Sequence, residues 1–223
     1  LLEPVGQFGT RLLGGKDASS PRYIFTHLSK NFKELFNPHD FDILDYLDDD
    51  GQSIEPRFYV PTLPIVLING ACGIGTGFST DIPSFNPDDI KERLLRLVDN
   101  EDADIPEMTP WYKGFEGTIK KVEDNKWTSH GIYTIKANVI TVMELPVGTW
   151  TEDYKSFLDK LETENTIYSY KNMSTETDVH FEIKMPLETV YEWNDNREIE
   201  KKLKLSSHIS AKNMYVFNEK NEI

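Results

Sequence analysis

Val179, Phe181, Ile183 and Met185 alternate with His180, Glu182 and Lys184, which commits that stretch to a half-buried strand. Elsewhere the apolar period is helical. Ile90, Leu94, Leu97 and Val98 form the expected core stripe of a helix. Asn86 caps it, Pro87 takes its first position, and Asp88 and Asp89 suit the positive end of its dipole. From Phe115 the pattern turns to strands, and Ile132 to Ile135 with Val139 to Leu145 predicts a hairpin around Ala137-Asn138. Thr149 and Glu152 have capping-box spacing ahead of a helix whose buried face is Tyr154, Phe157, Leu158 and Leu161. A further helix is expected from Leu187 into the Lys201-Lys202 region, and a last strand over Met214 to Phe217. The mixture is α+β, without internal repeat or low-complexity tract.

The N-terminal part is read differently. Residues 1 to 21 are rich in Gly, Pro and Ser and should be mostly loop. Ile24, Leu28, Phe32, Leu35 and Phe36 predict a helix over about Phe25 to Phe36, stopped by Asn37-Pro38. An acidic block then leads through Ile43, Leu44 and Leu47 to a turn at Asp50-Gly51. Pro61 and Pro64 mark an expected domain boundary. The apolar segment Leu63 to Asn69 should be buried, and Gly70-Ala71-Cys72-Gly73-Ile74-Gly75-Thr76-Gly77 follows it. Leu1 opens the chain inside a glycine-rich stretch, which reads as an excised fragment.

The net charge of -14 argues against nucleic acid, whose binding is driven by phosphate neutralisation. The distribution softens that objection. Residues 1–35 carry a net +2, whereas acid concentrates at Asp40 to Asp50 and at Glu101 to Glu107. A single cysteine, Cys72, excludes a disulfide framework, and the five histidines lack ligand spacing for zinc. No apolar run is long enough to span a membrane. Gly9 to Lys16 nearly imitates a phosphate-cradling loop, but it has one glycine too many and Asp17 stands where a Ser or Thr should hold magnesium. Gly73 to Gly77 lacks the third glycine of a dinucleotide fingerprint. Three successive acids at Asp48-Asp49-Asp50 cannot readily converge on one octahedral ion.

Several motifs in order carry a resemblance. Gly6-Gln7-Phe8-Gly9-Thr10-Arg11, Gly14-Gly15-Lys16-Asp17-Ala18 and Pro21-Arg22-Tyr23-Ile24-Phe25-Thr26 come first. Glu55-Pro56, Leu63-Pro64 and Ile68-Asn69-Gly70-Ala71 lead into Gly73-Ile74-Gly75-Thr76-Gly77. Gly117-Thr118-Ile119 and Glu144-Leu145-Pro146-Val147 with Thr149-Trp150-Thr151 follow. Together they resemble the DNA-cleavage core of type IIA DNA topoisomerases of the eukaryotic type. The match is dense from Gly6 to about Asn86, patchy to about Thr151 and weak beyond.

The resemblance implies the end of a winged-helix domain at residues 1–60, followed by an α+β tower domain at 61–223. It implies that Tyr23 attacks a DNA phosphodiester and becomes linked to the new 5′ end. Free tyrosine, with a pKa of about 10, is a weak nucleophile at neutral pH and needs a base, a depressed pKa or nearby positive charge. Arg22 cannot be the base, because guanidinium stays protonated. Its implied part is to hold non-bridging phosphate oxygens in the transition state. Neighbours on a regular strand point to opposite faces, so both can serve one phosphate only if the backbone turns at Arg22-Tyr23 or the DNA wraps across it; the turn is expected. Ile74 is implied to wedge between base pairs, where Gly73 and Gly75 permit close approach to DNA. Lys16 and Arg11 are candidate phosphate contacts. The family often has an acid where Cys72 stands, so contacts near the kink differ here. The implied partners are duplex DNA and, in the parent enzyme, a second identical subunit, with no membrane. Mg²⁺ and ATP are implied for the parent, with none bound by residues of this fragment. The implied location is the nucleus for a cellular enzyme, and host cytoplasm or a viral factory for a viral one. Two other readings stand beside this one: a non-catalytic DNA-bending module, and an acidic interaction domain that avoids DNA.

Overall fold

In the computed structural model, which describes residues 1–105 and 107–218, the chain opens on a strand. This is β1 (Leu2–Val5), paired antiparallel with β2 (Phe25–Leu28), so that Leu2 faces Leu28 and Val5 faces Phe25. The helix expected over Phe25 to Phe36 is thereby reduced to α1 (Phe32–Leu35). Aromatic and β-branched residues at Phe25 and Thr26 suit a strand once a partner exists. That partner lies twenty or more residues upstream, beyond the reach of local periodicity. Asn37-Pro38 ends the helix as expected, and a 3₁₀ segment runs over Pro38–Ile43. β3 (Tyr46–Asp49) and β4 (Gln52–Pro56) form a hairpin across the predicted Asp50-Gly51 turn, where both residues have positive φ. Among residues 1–80 only Phe36 and Pro56 are buried.

The apolar segment before the glycine run makes a short helix, α2 (Ile65–Asn69), which is only half-buried rather than sunk in the core. It lies at the rim, where the Phe85 amide donates to the Leu67 carbonyl at 2.8 Å. The glycine run then forms a hairpin from β5 (Ala71–Ile74) and β6 (Ser79–Ile82). α3 (Pro87–Asp99) begins as read, with the Asn86 side chain accepting from the Asp88 amide. Its expected stripe is buried only at its start. Ile90 is enclosed, Leu94 is half-buried, and Leu97 and Val98 face outward. Periodicity tells which face is apolar, not how much surface is available to cover it.

The core comes from the C-terminal part. β7 (Thr118–Glu123) and β8 (Lys126–His130) join a three-stranded antiparallel sheet. β9 (Ile132–Lys136) and β10 (Val139–Glu144) make the predicted hairpin, with Ala137 at φ 55° in its turn. α4 (Thr151–Thr163) starts without the expected capping box. Trp150 is its N-cap, no side chain caps it, and the Glu152 amide donates instead to the Leu12 carbonyl. The orphan donor of a first helical turn is thus met by a distant loop. β11 (Ser169–Asn172) and β12 (Phe181–Lys184) complete a four-stranded antiparallel sheet in the order β11-β12-β10-β9.

The expected long C-terminal helix is two: α5 (Leu187–Asp195) and α6 (Ile199–Lys202). Arg197 sits at φ 57° between them, and the Glu198 amide reaches back to the Trp193 carbonyl, closing α5 with a left-handed cap. β13 (Ser206–Ser210) pairs with β8 and finishes the smaller sheet. The strand expected over Met214 to Phe217 is absent. That segment lies beside β6 through the Thr80 hydroxyl, which bonds both the amide and carbonyl of Tyr215, without a ladder.

The inner face of the larger sheet supplies Ile140, Val142, Phe181 and Ile183, as the alternation predicts. Tyr154 and Leu158 of α4, Val190 and Trp193 of α5 and Ile199 of α6 cover it. Phe157 and Leu161 pack at its margin. The fold is therefore mixed α/β, with the core at one end of the chain and an exposed apolar N-terminal part at the other. No helix of the described residues is long and apolar enough to cross a membrane.

Candidate nucleic-acid interface

Pro21–Tyr23 forms a single 3₁₀ turn. Proline at its first position fixes φ where the helix needs it and removes a donor that would otherwise be unsatisfied. The Tyr23 amide donates to the Ser20 carbonyl at 2.9 Å, and Ile24 is already extended on the way into β2. The backbone thus turns at the expected place. The consequence is geometric: the Arg22 guanidinium lies 5.8 Å from the centre of the Tyr23 ring. Both residues are exposed, and Tyr23 leaves 67% of its surface open. An exposed phenol with a cation against its ring can meet an anionic partner from solvent.

Ile74 ends β5 at the tip of its hairpin, opposite Ser79. The Gly75 amide closes the tip on the Phe78 carbonyl at 2.8 Å, and Gly77 supplies φ 84°. Ile74 is 93% exposed, so it belongs to no core. Nothing lies within 4 Å of where a Cβ on Gly73 would stand, which leaves the approach to the isoleucine open. Cys72 is also exposed on this hairpin.

Lys16 is exposed, in a loop held by its own side chains. Asp17 accepts from the Thr10 amide at 2.9 Å and from the Thr10 hydroxyl at 2.5 Å. The hydroxyl first, and the amide second, hold the Asp17 carboxyl below its usual range. A depressed pKa means that the clamp stays intact above the ordinary carboxylate range and is lost only as pH falls through the lower, folded value. Gly9 passes so close to Gly15 that a Cβ on it would stand 2.4 Å from the Gly15 Cα. This explains one glycine of the loop without any phosphate.

Arg11 is placed differently from Lys16. Its guanidinium is turned inward and pairs with Glu144, whose side chain is 2% exposed. The residues that sequence reasoning missed lie here: Asp17 and Thr10 as the loop clamp, Glu144 as the buried acid, and Trp150 against Gly14. One signal was available. Glu144 continues the inward alternation of Ile140 and Val142, where a charge demands a partner. No three acids, histidines or cysteines among the described residues come together to hold a metal.

The whole chain, residues 1–223, matches the family of DNA gyrase/topoisomerase IV A subunits. It is 42% identical to DNA topoisomerase 2 of Arabidopsis thaliana, over 100% of the chain and 16% of that protein. It is 40% identical to the mitochondrial DNA topoisomerase 2 of Dictyostelium discoideum, over 100% of the chain and 17% of that protein. Its fold matches the crystal structure of the Plasmodium falciparum topoisomerase II DNA-binding, cleavage and re-ligation domain with TM-score 0.92 and 40% identity, covering 99% of the chain and 30% of that structure. The chain therefore spans about a sixth of the length of these curated relatives.

Proposed function

The chain belongs to the type IIA DNA topoisomerases, in the family of DNA gyrase/topoisomerase IV A subunits, and on that footing we propose that it serves in double-strand cleavage and religation with Tyr23 as nucleophile. The observation that carries this is the exposed Tyr23 phenol on one turn with the Arg22 guanidinium. The Tyr23 oxygen attacks phosphorus, the P–O3′ bond breaks, the phenol gives up its proton to solvent or a base, and the departing 3′-oxygen takes up a proton from solvent or an acid. The strand keeps a free 3′-hydroxyl and a 5′-phosphotyrosyl link. Resealing is the reverse attack by the 3′-oxygen, and it needs no ATP because the phosphodiester energy stays in the link. Arg22 offsets charge on the non-bridging oxygens, and Lys16 holds a neighbouring phosphate.

Residues 1–60 then belong to a winged-helix domain and 61–223 to a tower domain. The packed core, Ile140 to Leu205, lies wholly within the second segment, which supports reading that segment as a folded domain. Ile74 enters the duplex as an apolar wedge, which its exposure at a hairpin tip supports. Cutting both strands takes a tyrosine from each of two subunits, so the working enzyme is a homodimer on duplex DNA. Mg²⁺ and ATP act from residues outside this segment. The location is the compartment that holds the genome: the nucleus in a cell, host cytoplasm or a viral factory in a virus.

Passing one duplex through a double-strand break changes linking number in even steps, whereas single-strand passage allows odd ones. The full-length protein with closed circular DNA, Mg²⁺ and ATP should give even-spaced topoisomers; odd spacing or no change overturns the proposal. A separate result is expected for Ile74→Ala. Losing the wedge removes what repays unstacking, a few kcal/mol per base step. Energy transfer between end-labelled arms should show the bent fraction falling about tenfold or more, while duplex affinity changes by no more than about threefold, because most affinity comes from phosphate contacts. A variant that bends DNA like the wild type removes Ile74 from this role. Bending with no topoisomer change in the wild type would favour the bending-module reading, which the exposure of Ile74 also suits.

A further inference from the structure

We infer that Arg11 and Glu144 form a latch that positions the Tyr23 segment for cleavage; this rests on the function proposed above. Glu144 ends β10 at a bulge, where the register with β9 shifts between Val142 and Glu144. The shift delivers its carboxylate to a junction of three parts of the chain. Arg11 donates to it through both Nη atoms, the Glu116 amide donates at 3.1 Å just ahead of β7, and the Leu145 amide donates at 2.8 Å. One buried carboxylate thus ties the larger sheet, the lead into the smaller sheet and the loop upstream of Tyr23. A buried charge so fully engaged holds its partners to one geometry.

Three further contacts fasten the same loop. The Arg11 amide donates to the Glu176 carbonyl at 3.2 Å, and the Glu152 amide at the start of α4 donates to the Leu12 carbonyl at 3.0 Å. Gly14, at φ 60°, lies against Trp150 so tightly that a Cβ on it would stand 2.2 Å from the indole. The platform is itself anchored. The Val147 amide donates to the Ser129 hydroxyl, and the Ser207 hydroxyl donates to the Val147 carbonyl, fixing the Leu145–Trp150 segment to the smaller sheet. The loop then closes on itself through Thr10 and Asp17 and, through the Ser19 amide on the Gln7 carbonyl, leads directly into Pro21–Tyr23. The residues that precede the nucleophile are bolted to the part that holds the packed core of the described residues. Arg11 and Glu144 are positioning residues: they touch the nucleophile's support and not the DNA.

The test uses the full-length enzyme with Arg11→Gln, Arg11→Lys, Glu144→Gln and Gly14→Ala, and measures the initial rate of covalent-complex formation at saturating duplex. Displacing a reacting group by about an ångström costs on the order of a hundredfold in rate. A fall of that size is expected for Arg11→Gln and Glu144→Gln, with smaller losses for Arg11→Lys, which keeps the charge but not the fork. Gly14→Ala should fall with them although no charge is touched. Duplex affinity and the slope of its salt dependence should stay at wild-type values. If Arg11→Gln instead weakens binding and reduces the salt slope by about one while Glu144→Gln is normal, Arg11 is a phosphate contact and the latch is overturned. Wild-type cleavage by Glu144→Gln and Gly14→Ala overturns it equally. Arg11→Lys, which leaves the buried carboxylate paired, keeps a folded case to judge if the neutral variants fail to fold: wild-type cleavage by it overturns the latch, and a loss of cleavage at unchanged duplex affinity and salt slope supports it. Absence of adduct from the wild type would instead sink the proposed function, and the two failures are distinct.

Discussion

Tyr23→Phe in the full-length enzyme should bind duplex DNA as the wild type does and leave no covalent adduct. Phenylalanine keeps the ring that lies against Arg22 and removes only the oxygen proposed to form the phosphoester. Because the ring is two-thirds exposed, its stability should change by no more than about 0.5 kcal/mol. The chemical effect has no such ceiling. Loss of a nucleophile in an enzyme that works through a covalent intermediate costs on the order of a millionfold, the residual rate being background. Denaturant quench of end-labelled duplex with Mg²⁺, followed by separation of protein-linked label, reads the difference. Binding at wild-type affinity in the same sample separates a chemical loss from a binding one.

The second large effect falls on the fold. Phe181 is fully buried in β12, with its ring edge-on to Tyr154 at 5.2 Å and tilted to Tyr170 at 6.4 Å. Phe181→Ala should cost about 3–5 kcal/mol, transfer and cavity terms together. That is a large share of the roughly 5–15 kcal/mol that holds a domain. Urea unfolding of the chain, followed by the fluorescence of the buried Trp127 and Trp193, should show the midpoint falling steeply. Val98→Ala, on the outer face of α3 and 82% exposed, should stay within about 0.5 kcal/mol of wild type. Equal effects from the two would mean that the core does not lie where the larger sheet meets α4 and α5. Since the Arg11–Glu144 pair hangs from β10 in that same sheet, the Phe181 lesion should also depress cleavage.

The two halves of the molecule differ in how far the sequence reveals them. Around Phe181 both signals agree. The period of two along Val179–Met185, the turn at Ala137-Asn138 and the cap at Asn86 are local, and each element forms where it reads. Near Phe25 the deciding fact is non-local. A strand at Leu2–Val5 captures residues whose own pattern is helical. Leu97, Val98 and the Leu63–Asn69 segment fail for another reason: apolar patterning records a face, and the cover for that face is a property of the whole fold. Tyr23, Arg22 and Ile74 are singled out by motifs, and the backbone turn at Arg22-Tyr23 is expected because both are to serve one phosphate. The Arg11–Glu144 pair is not legible in the sequence, because the partners lie 133 residues apart and nothing in either neighbourhood names the other.

The most direct measurement identifies the residue that carries the DNA. Covalent complex formed by the full-length enzyme would be trapped, trimmed with nuclease, digested after Lys and Arg, and weighed. Cleavage after Arg22 and Lys30 releases Tyr23–Lys30, in which Tyr23 is the sole tyrosine among the ten of the chain. The predicted result is a nucleotide remnant on that peptide, located at Tyr23. A remnant on a peptide carrying any other tyrosine, or on a serine, would contradict the assignment of Tyr23 as nucleophile.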